Sequence, residues 1–132
     1  MPHLRIREVA ELLGVSDDTV RRWVDSGRLP AVAGPPGPLL VDGADVARVA
    51  EEQGRAPDAG PVAGASARNR FRGVVTRVVR DTVMAQVEVQ AGPFRVVSLL
   101  SREAVDELGL EPGSVVVATT KATNVGLEVP GR

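Results

Sequence analysis

The chain of 132 residues contains no cysteine, one histidine and only three aromatic residues, Trp23, Phe71 and Phe94. The lack of cysteine excludes disulfide cross-links, and with a single histidine it leaves no ligand set for a structural zinc ion. Because large aromatic side chains are scarce, any core must be built from valine, leucine, alanine and isoleucine. No run of 18 apolar residues and no basic-then-apolar leader is present, so the sequence predicts a cytoplasmic protein without a membrane partner.

The usual signatures of catalysis are missing as well. The single histidine, His3, stands at a chain end that we expect to fray, and no nucleophile lies beside a candidate base. There is no phosphate-binding loop, and the acidic pairs Glu51-Glu52 and Asp106-Glu107 are typical of solvated helix faces. The sequence therefore predicts a protein that is not an enzyme and has no catalytic cofactor or catalytic metal.

Glycine, proline and alanine dominate residues 54–65, which predicts a linker between two small domains, 1–53 and 66–130. A unit of about 65 residues with few aromatic side chains is only marginally stable alone, so we expect the protein to form homo-oligomers. The charge differs along the chain. Residues 1–53 carry six arginines and nine acidic residues, whereas residues 66–132 carry nine basic and seven acidic residues.

Helical periodicity dominates the first domain. Apolar residues recur at spacings of three and four over residues 6–13, and Gly14 ends this first helix. Ser16 is a candidate N-cap for a second helix, whose apolar side includes Trp23. The remaining predicted elements are a small hairpin and a third helix, at residues 31–41 and 45–53.

This pattern resembles the MerR/excisionase type of helix-turn-helix domain. The resemblance is carried by three runs, Glu8-Val9-Ala10-Glu11-Leu12-Leu13-Gly14, Thr19-Val20-Arg21-Arg22-Trp23 and Gly27-Arg28-Leu29-Pro30. It implies a winged fold in which the N-terminal part of the second helix enters the major groove of double-stranded DNA. The residues that it places near DNA are Ser16, Asp17, Asp18, Thr19, Arg21, Arg22 and Arg28.

The charge of this domain is unusual for a DNA-binding surface. Asp17 and Asp18 oppose phosphates, and the hairpin segment from Val32 to Leu40 has no charged residue. Phosphate contacts dominate DNA affinity, so a single copy would bind weakly, whereas several copies on one oligomer would bind well through avidity. A helix-turn-helix domain that contacts a protein instead of DNA is the alternative.

Beyond residue 65 the apolar period changes from helical to alternating. We expect five strands, at residues 71–80, 83–90, 94–100, 115–121 and 125–129, and one helix, at 102–108, that Ser101 caps and Gly109 ends. This order is that of a small OB-like barrel. The predicted fold class is α+β, with an N-terminal winged helix-turn-helix and a C-terminal five-stranded OB-like β-barrel.

The C-terminal domain resembles the molbindin, or Mop, domain of the TOBE group. The resemblance rests on Ser66-Ala67-Arg68-Asn69, Gly73-Val74-Val75, Ser101-Arg102-Glu103-Ala104-Val105 and Lys121-Ala122-Thr123-Asn124-Val125. It implies that subunits exchange strands, as a dimer or a trimer of dimers, and bind molybdate or tungstate between them. The oxyanion-binding residues that it implies are Ser66, Arg68, Asn69, Ser101, Arg102, Glu103, Ala104, Lys121, Ala122 and Thr123.

These residue types suit a tetrahedral dianion. Lys121 is the only lysine beside fifteen arginines, and its compact ammonium group suits a small symmetric anion. Ser101 stands at a helix N-terminus, where we expect the next three backbone N–H groups to be free for an anion. Many molbindins have a second hydroxyl residue where Ala104 stands, so either affinity is lower or Thr123 compensates. The ordinary alternatives are an N-cap role for Ser101, an ion pair for Arg68 and a solvated Lys121.

Two functions follow from the two resemblances. The first is a molybdate-responsive, DNA-binding transcriptional regulator of molybdenum homeostasis, in which oxyanion binding at subunit interfaces changes the spacing of the helix-turn-helix units. The second is an oligomeric molybdate store or buffer whose helix-turn-helix domain binds a protein partner. The acidic first domain favours the second function, and the helix-turn-helix pattern favours the first.

Overall fold

The computed structural model describes residues 2–54, 60 and 64–131, and the chain divides into two compact units, residues 1–55 and 56–132. Most of the predicted linker, residues 54–65, lies outside the described residues, so its bounds stay a prediction. In the part of the chain that is described, no helix is long and apolar enough to cross a bilayer.

Three helices and a small sheet form the N-terminal unit. The elements are β1 (His3–Arg5), α1 (Ile6–Leu13), α2 (Asp17–Asp25), β2 (Ala31–Ala33), β3 (Leu40–Asp42) and α3 (Gly43–Gln53). Both strand pairings are antiparallel, in the order β1–β3–β2. The sequence predicts the hairpin of β2 and β3 but not β1. His3 pairs with Asp42, so the expectation that His3 lies at a frayed end is wrong.

Local capping sets the starts of α2 and α3. The Ser16 hydroxyl accepts a hydrogen bond from the Thr19 N–H at 3.1 Å, and the Asp42 carboxylate accepts one from the Ala44 N–H at 2.9 Å. The helices and β3 enclose one apolar core, made of Ile6, Val9, Ala10, Val20, Leu29, Val41, Val46 and Val49. Trp23 packs at the edge of this core and is half-buried.

A four-stranded antiparallel sheet and one helix form the C-terminal unit. The elements are β4 (Asn69–Arg80), β5 (Met84–Ala91), β6 (Phe94–Ser101), α4 (Arg102–Leu108) and β7 (Val115–Thr120), and the strand order is β6–β5–β4–β7. A second core lies between the sheet and α4 and consists of Val75, Ala85, Val87, Val89 and Val105. Gly109 ends α4 as predicted, with a φ of 64° that favours glycine.

Strand β4 is long enough to pair with two neighbours and to curl the sheet into an OB-like form. Its pairing with β5 shifts by one residue between Val75 and Arg77, which bends the strand. Gly73 lies just before this bend and allows a close approach of backbones, since a Cβ atom there would lie 2.6 Å from the Gln90 carbonyl oxygen.

The fifth predicted strand, residues 125–129, is not formed within one chain. After β7 the backbone makes a turn of 3-10 helix, Ala122–Asn124, and then continues without pairing to any strand that the structure describes. The apolar side chains of this tail point into solvent, with Leu127 94% and Val129 93% exposed. The prediction of a strand at residues 125–129 is wrong for a single chain. Alternating apolar residues favour an extended backbone but do not supply the neighbouring strand that a β-strand requires.

Candidate functional site

The pairing of β4 with β7 brings two of the predicted site segments together. Asn69 pairs with Thr120, and the Asn69 side-chain amide donates a hydrogen bond to the Thr120 carbonyl oxygen at 3.3 Å. The last residue of segment 66–69 therefore lies beside the start of segment 121–123, although the two segments are about fifty residues apart in the sequence. We call these two segments together the arm cluster.

The arm cluster is cationic and open to solvent. Arg68 and Lys121 are the next residues outward from the Asn69–Thr120 pair, and both side chains are exposed. Within the described residues, neither Arg68 nor Lys121 has an acidic partner or a side-chain hydrogen bond, and the Ser66 hydroxyl is also unpaired. Two like charges that lie close together repel each other, and an anion bound between them would relieve this repulsion.

The second predicted segment is the N-terminus of α4, where the structure corrects the expectation of free N–H groups. The Ser101 hydroxyl accepts a hydrogen bond from the Ala104 N–H at 3.1 Å, which is the N-cap role. The Arg102 N–H donates to the Val83 carbonyl oxygen at 2.8 Å. Of the three N–H groups expected to be free, only that of Glu103 lacks a partner within the described residues, because local capping and the preceding turn take the other two.

An open depression lies beside this helix end and is rich in carboxylates. Its lining residues are Thr82, Val83, Ser101, Arg102, Glu103, Asp106 and Glu107. Arg102 is the single cation among them, and its guanidinium lies 3.7 Å from the Asp106 carboxylate. The Ser101 segment therefore offers a hydroxyl and one N–H group but no unpaired positive charge for an anion.

One chain does not bring all ten predicted oxyanion residues to one place. Asn69 is the first residue of β4, whereas Arg80, at the other end of the same strand, pairs with Ala85 beside the start of β5. Ser101 pairs with Met84 at that far end. The arm cluster and the Ser101 segment thus lie at opposite ends of the curled sheet, with Arg68 and Lys121 at one end and the Ser101 hydroxyl and the Glu103 N–H at the other.

The predicted DNA-contacting residues occupy the start of α2 and the turn after it. At the start of α2, the Ser16 and Thr19 hydroxyls lie 3.0 Å apart, and the Arg22 guanidinium donates to the Thr19 hydroxyl at 3.1 Å. Asp18 and Arg21 form an exposed ion pair at 3.7 Å. Asp17 and Asp18 are exposed, so the helix start presents both signs of charge to solvent.

Arg28, the predicted DNA contact in the turn after α2, is engaged within the N-terminal unit, and its assignment to DNA stays a prediction. Its guanidinium donates to the Glu52 carboxylate at 3.0 Å and lies 5.1 Å from the centre of the Trp23 ring. The hydrogen bond from Arg28 is the main reason that the pKa of Glu52 lies below its ordinary value. Arg28 thus links the turn after α2 to α3, because its guanidinium is bonded to the Glu52 carboxylate on α3.

Arg48 completes this network and is a residue that the sequence analysis does not single out. It donates to the Arg28 carbonyl oxygen at 2.9 Å and to the Glu52 carboxylate at 3.3 Å. The four-residue spacing of Arg48 and Glu52 on one helix is the sequence signal that could have revealed the contact between these two residues.

The described residues contain no cluster of three or more histidine or acidic side chains that could hold a metal ion.

Comparison with known proteins finds matches to both units. A TOBE domain model matches residues 65–127, and a helix-turn-helix domain model matches residues 4–54. The chain is 36% identical to molybdenum-pterin-binding protein 2 of Clostridium pasteurianum over 61 residues, which are 46% of this chain and 90% of that protein.

Two solved structures are similar over about half of the chain. One is a molybdate-binding protein from Sporomusa ovata, with a TM-score of 0.49, 30% identity and coverage of 50% of this chain and 98% of that one. The other is the cytoplasmic molybdate-binding protein ModG with molybdate bound, with a TM-score of 0.49, 40% identity and coverage of 51% of this chain and 48% of that one.

Proposed function

The chain belongs to the family of TOBE-domain proteins and carries a helix-turn-helix domain ahead of its TOBE domain, and from this premise we propose that it is a molybdate- or tungstate-binding regulator of transcription. In this proposal the TOBE unit binds the oxyanion, the helix-turn-helix unit binds double-stranded DNA, and the protein acts in the cytoplasm in molybdenum homeostasis. Its role is binding and not catalysis.

The observation that carries the oxyanion proposal is the arm cluster. Two adjacent cations, Arg68 and Lys121, have no acidic partner in the described part of the chain and match the charge of a dianion, and the Ser66 hydroxyl adds a donor. Asn69 holds the two segments together through its hydrogen bond to Thr120, so its role is to position Arg68 and Lys121. Ala122 and Thr123 follow Lys121 in an exposed turn and line the same end of the sheet.

A second copy of the chain supplies the remaining donors in this proposal. The Ser101 hydroxyl and the Glu103 N–H lie at the far end of the sheet, so they reach the anion only from another subunit. Among the described residues, the first and last strands of the sheet order, β6 and β7, each have one edge without a strand partner, and the apolar tail from Val125 to Val129 is exposed. Unpaired edges and an exposed strand-like tail favour strand exchange between subunits, as a dimer or a trimer of dimers.

The test is isothermal titration of the full chain with molybdate, with tungstate as a second ligand and sulfate as the competitor. We expect Lys121→Ala to weaken molybdate binding by roughly 10- to 150-fold, since a hydrogen bond to a charged group is worth about 1.5–3 kcal/mol. Arg77→Ala is the matched control, because Arg77 is an exposed cation on the same sheet, away from the arm cluster. Equal binding by wild type and Lys121→Ala would contradict the assigned site.

DNA binding rests on the N-terminal part of α2 in this proposal. Ser16, Thr19, Arg21 and Arg22 form the contacts, while Asp17 and Asp18 reduce affinity for phosphates and accept from base edges. Oligomerisation through the TOBE unit offsets the weak binding of one copy through avidity. A gel-shift titration against genomic fragments, with and without molybdate, tests this, and equal affinity in both states would exclude regulation by the ligand.

A molybdate store or buffer is the second candidate function. The observation in its favour is the hairpin of the N-terminal unit, whose strand β2 and tip carry the exposed apolar residues Val32 and Pro35 and no charge. Such a tip suits a protein surface better than a phosphate backbone. Oxyanion binding together with no retention of any DNA fragment at low salt would favour this function over the first.

A further inference from the structure

Most arginines of the N-terminal unit are already paired with acidic side chains. The ion pairs of this unit among the described residues are Arg7–Glu11 at 3.4 Å, Arg21–Asp18 at 3.7 Å, Arg28–Glu52 at 3.0 Å, Arg48–Asp45 at 3.6 Å and Arg48–Glu52 at 3.3 Å. Only Arg5 and Arg22 lack an acidic partner there, and the Arg22 guanidinium is bonded to Thr19. A surface with so few unpaired cations gives a DNA-binding unit little phosphate affinity of its own.

The C-terminal unit separates its arginines into two groups. The paired group consists of Arg80 and Arg102, both near Asp106 at the Ser101 end of the sheet, and Arg95, which contacts Glu88 and lies beside the turn between β5 and β6. Arg77 faces Glu88 across the β4–β5 pairing. The second group, toward the other end, consists of Arg68, Arg70, Arg72 and Lys121, and Arg68, Arg72 and Lys121 have no acidic partner within the described residues.

The two members of this second group that lie within β4, Arg70 and Arg72, share one face of the sheet. Gly73 and Val75 are buried toward the core, so Arg70 and Arg72, at the alternate positions of β4, lie on the opposite, outer face. Across the ladder, Arg70 pairs with Thr119 and Arg72 pairs with Val117. The Arg70 guanidinium also donates to the Gly60 carbonyl oxygen at 3.1 Å, which fixes its position at the edge of the group. We call Arg68, Arg70, Arg72, Thr119 and Lys121 the arginine ladder.

A single small oxyanion does not account for this ladder. Alternate residues of a strand lie about 6.6 Å apart, so Arg72 lies roughly 13 Å along β4 from Arg68. An oxyanion held between Arg68 and Lys121 therefore leaves Arg72 without an anion. A row of cations of this length matches a linear polyanion with regularly spaced charges, and the phosphate backbone of DNA is such a polyanion.

We propose that the arginine ladder binds the phosphate backbone of duplex DNA and supplies non-specific phosphate contacts that the N-terminal unit lacks. The inference rests on the DNA binding put forward above and adds a second DNA-contacting surface to it. Sequence readout stays with the helix-turn-helix unit, because contacts to phosphates position a protein without reading base edges. The ladder raises affinity and on-rate for all duplex sequences alike.

The test is fluorescence anisotropy of a labelled random-sequence duplex with the full chain, in a sodium chloride series between about 50 and 200 mM, with and without molybdate. Arg72→Gln and the double variant Arg70→Gln/Arg72→Gln remove ladder charges. Arg77→Gln removes one charge from the same strand beside Glu88 and is the matched control. Size-exclusion chromatography and molybdate titration of each variant report on assembly and on the oxyanion site.

The plot of log affinity against log salt has a negative slope. We expect Arg72→Gln to reduce the magnitude of this slope by about 0.9, the value for one lost phosphate contact, and the double variant to reduce it further. Arg77→Gln should keep the wild-type slope, and all variants should keep molybdate binding. If the wild type binds DNA and both Arg72→Gln and Arg77→Gln keep the wild-type salt slope, DNA binding by the arginine ladder is overturned. The proposal that the helix-turn-helix unit binds DNA would remain. A change of oligomeric state in Arg72→Gln would also overturn DNA binding by the ladder, since the ladder would then be a subunit interface. No binding of any duplex by the wild-type chain would remove both proposals.

Discussion

Ser101 offers a sharp test of the proposed oxyanion site, because its hydroxyl oxygen and its hydroxyl hydrogen have separate uses. The oxygen accepts the Ala104 N–H at 3.1 Å and caps α4. The hydrogen remains available to an anion. Ser101→Ala removes both functions, whereas Ser101→Asp retains a good N-cap and places a negative charge at the site. The pair of variants therefore separates the cap from the ligand contact.

The cap and the ligand contact have different expected magnitudes. Loss of the cap in Ser101→Ala should cost about 1 kcal/mol, which lowers the midpoint of thermal unfolding by about 4–8 °C for a domain of this size. Ser101→Asp should unfold close to the wild-type temperature. Molybdate affinity should fall by roughly tenfold in Ser101→Ala, because the Ala104 N–H that the hydroxyl releases becomes available to the anion and offsets part of the loss. Ser101→Asp should lose more affinity than that, since a carboxylate repels a dianion.

Differential scanning calorimetry and isothermal titration with molybdate measure the two effects on the same samples. Molybdate binding by Ser101→Asp that is as tight as in the wild type would refute the ligand contact, because the hydroxyl would then lie away from the anion and serve only as a cap. Reduced affinity in Ser101→Ala that returns fully in Ser101→Asp would lead to the same conclusion. Wild-type calorimetry in the presence of molybdate is the control for ligand-dependent stabilisation.

Two further predictions concern the scaffold around the sites. Gly73→Ala should destabilise the C-terminal unit by about 2 kcal/mol, since the new Cβ atom would lie 2.6 Å from the Gln90 carbonyl oxygen, whereas Gly126→Ala, with no atom within 4 Å, should be nearly neutral in urea unfolding. The carboxyl group of Glu52 has a folded-state pKa below its ordinary 4.5, because Arg28 donates to it, so its contribution to stability is complete above that pH and is lost on acidification through the lower, folded-state pKa. Acid titration of unfolding should accordingly show a smaller loss of stability in Glu52→Gln than in the wild type, and parallel curves would show that the pair contributes nothing.

Sequence patterns that depend on near neighbours predicted much of this structure. The bounds of α4, its cap at Ser101 and its end at Gly109 were all predictable, since capping and a left-handed stop involve residues within about one helical turn. The same holds for the start of α2 at Ser16. By contrast, β1 has three residues and no pattern, and it exists only because β3 lies beside it.

The candidate site divides in the same way. The sequence indicated which segments carry donors and positive charge, but its expectation of three free N–H groups at α4 was wrong, because the Val83 carbonyl oxygen takes one of them from across a turn. The contact of Arg28 with Glu52 was likewise not predicted, since the two residues are 24 positions apart in the sequence. No pattern along the chain records such contacts.

The sequence by itself determined the local elements, the order of the two domains and the chemical character of the cationic and hydroxyl-bearing segments. Only the tertiary structure decided which of these groups meet. The pairing of Asn69 with Thr120 placed Arg68 beside Lys121, and the length and bend of β4 placed Ser101 at the far end of the sheet. The physical reason is that capping and periodicity act over a few residues, whereas strand pairing and charge pairing depend on contacts between residues far apart in the chain.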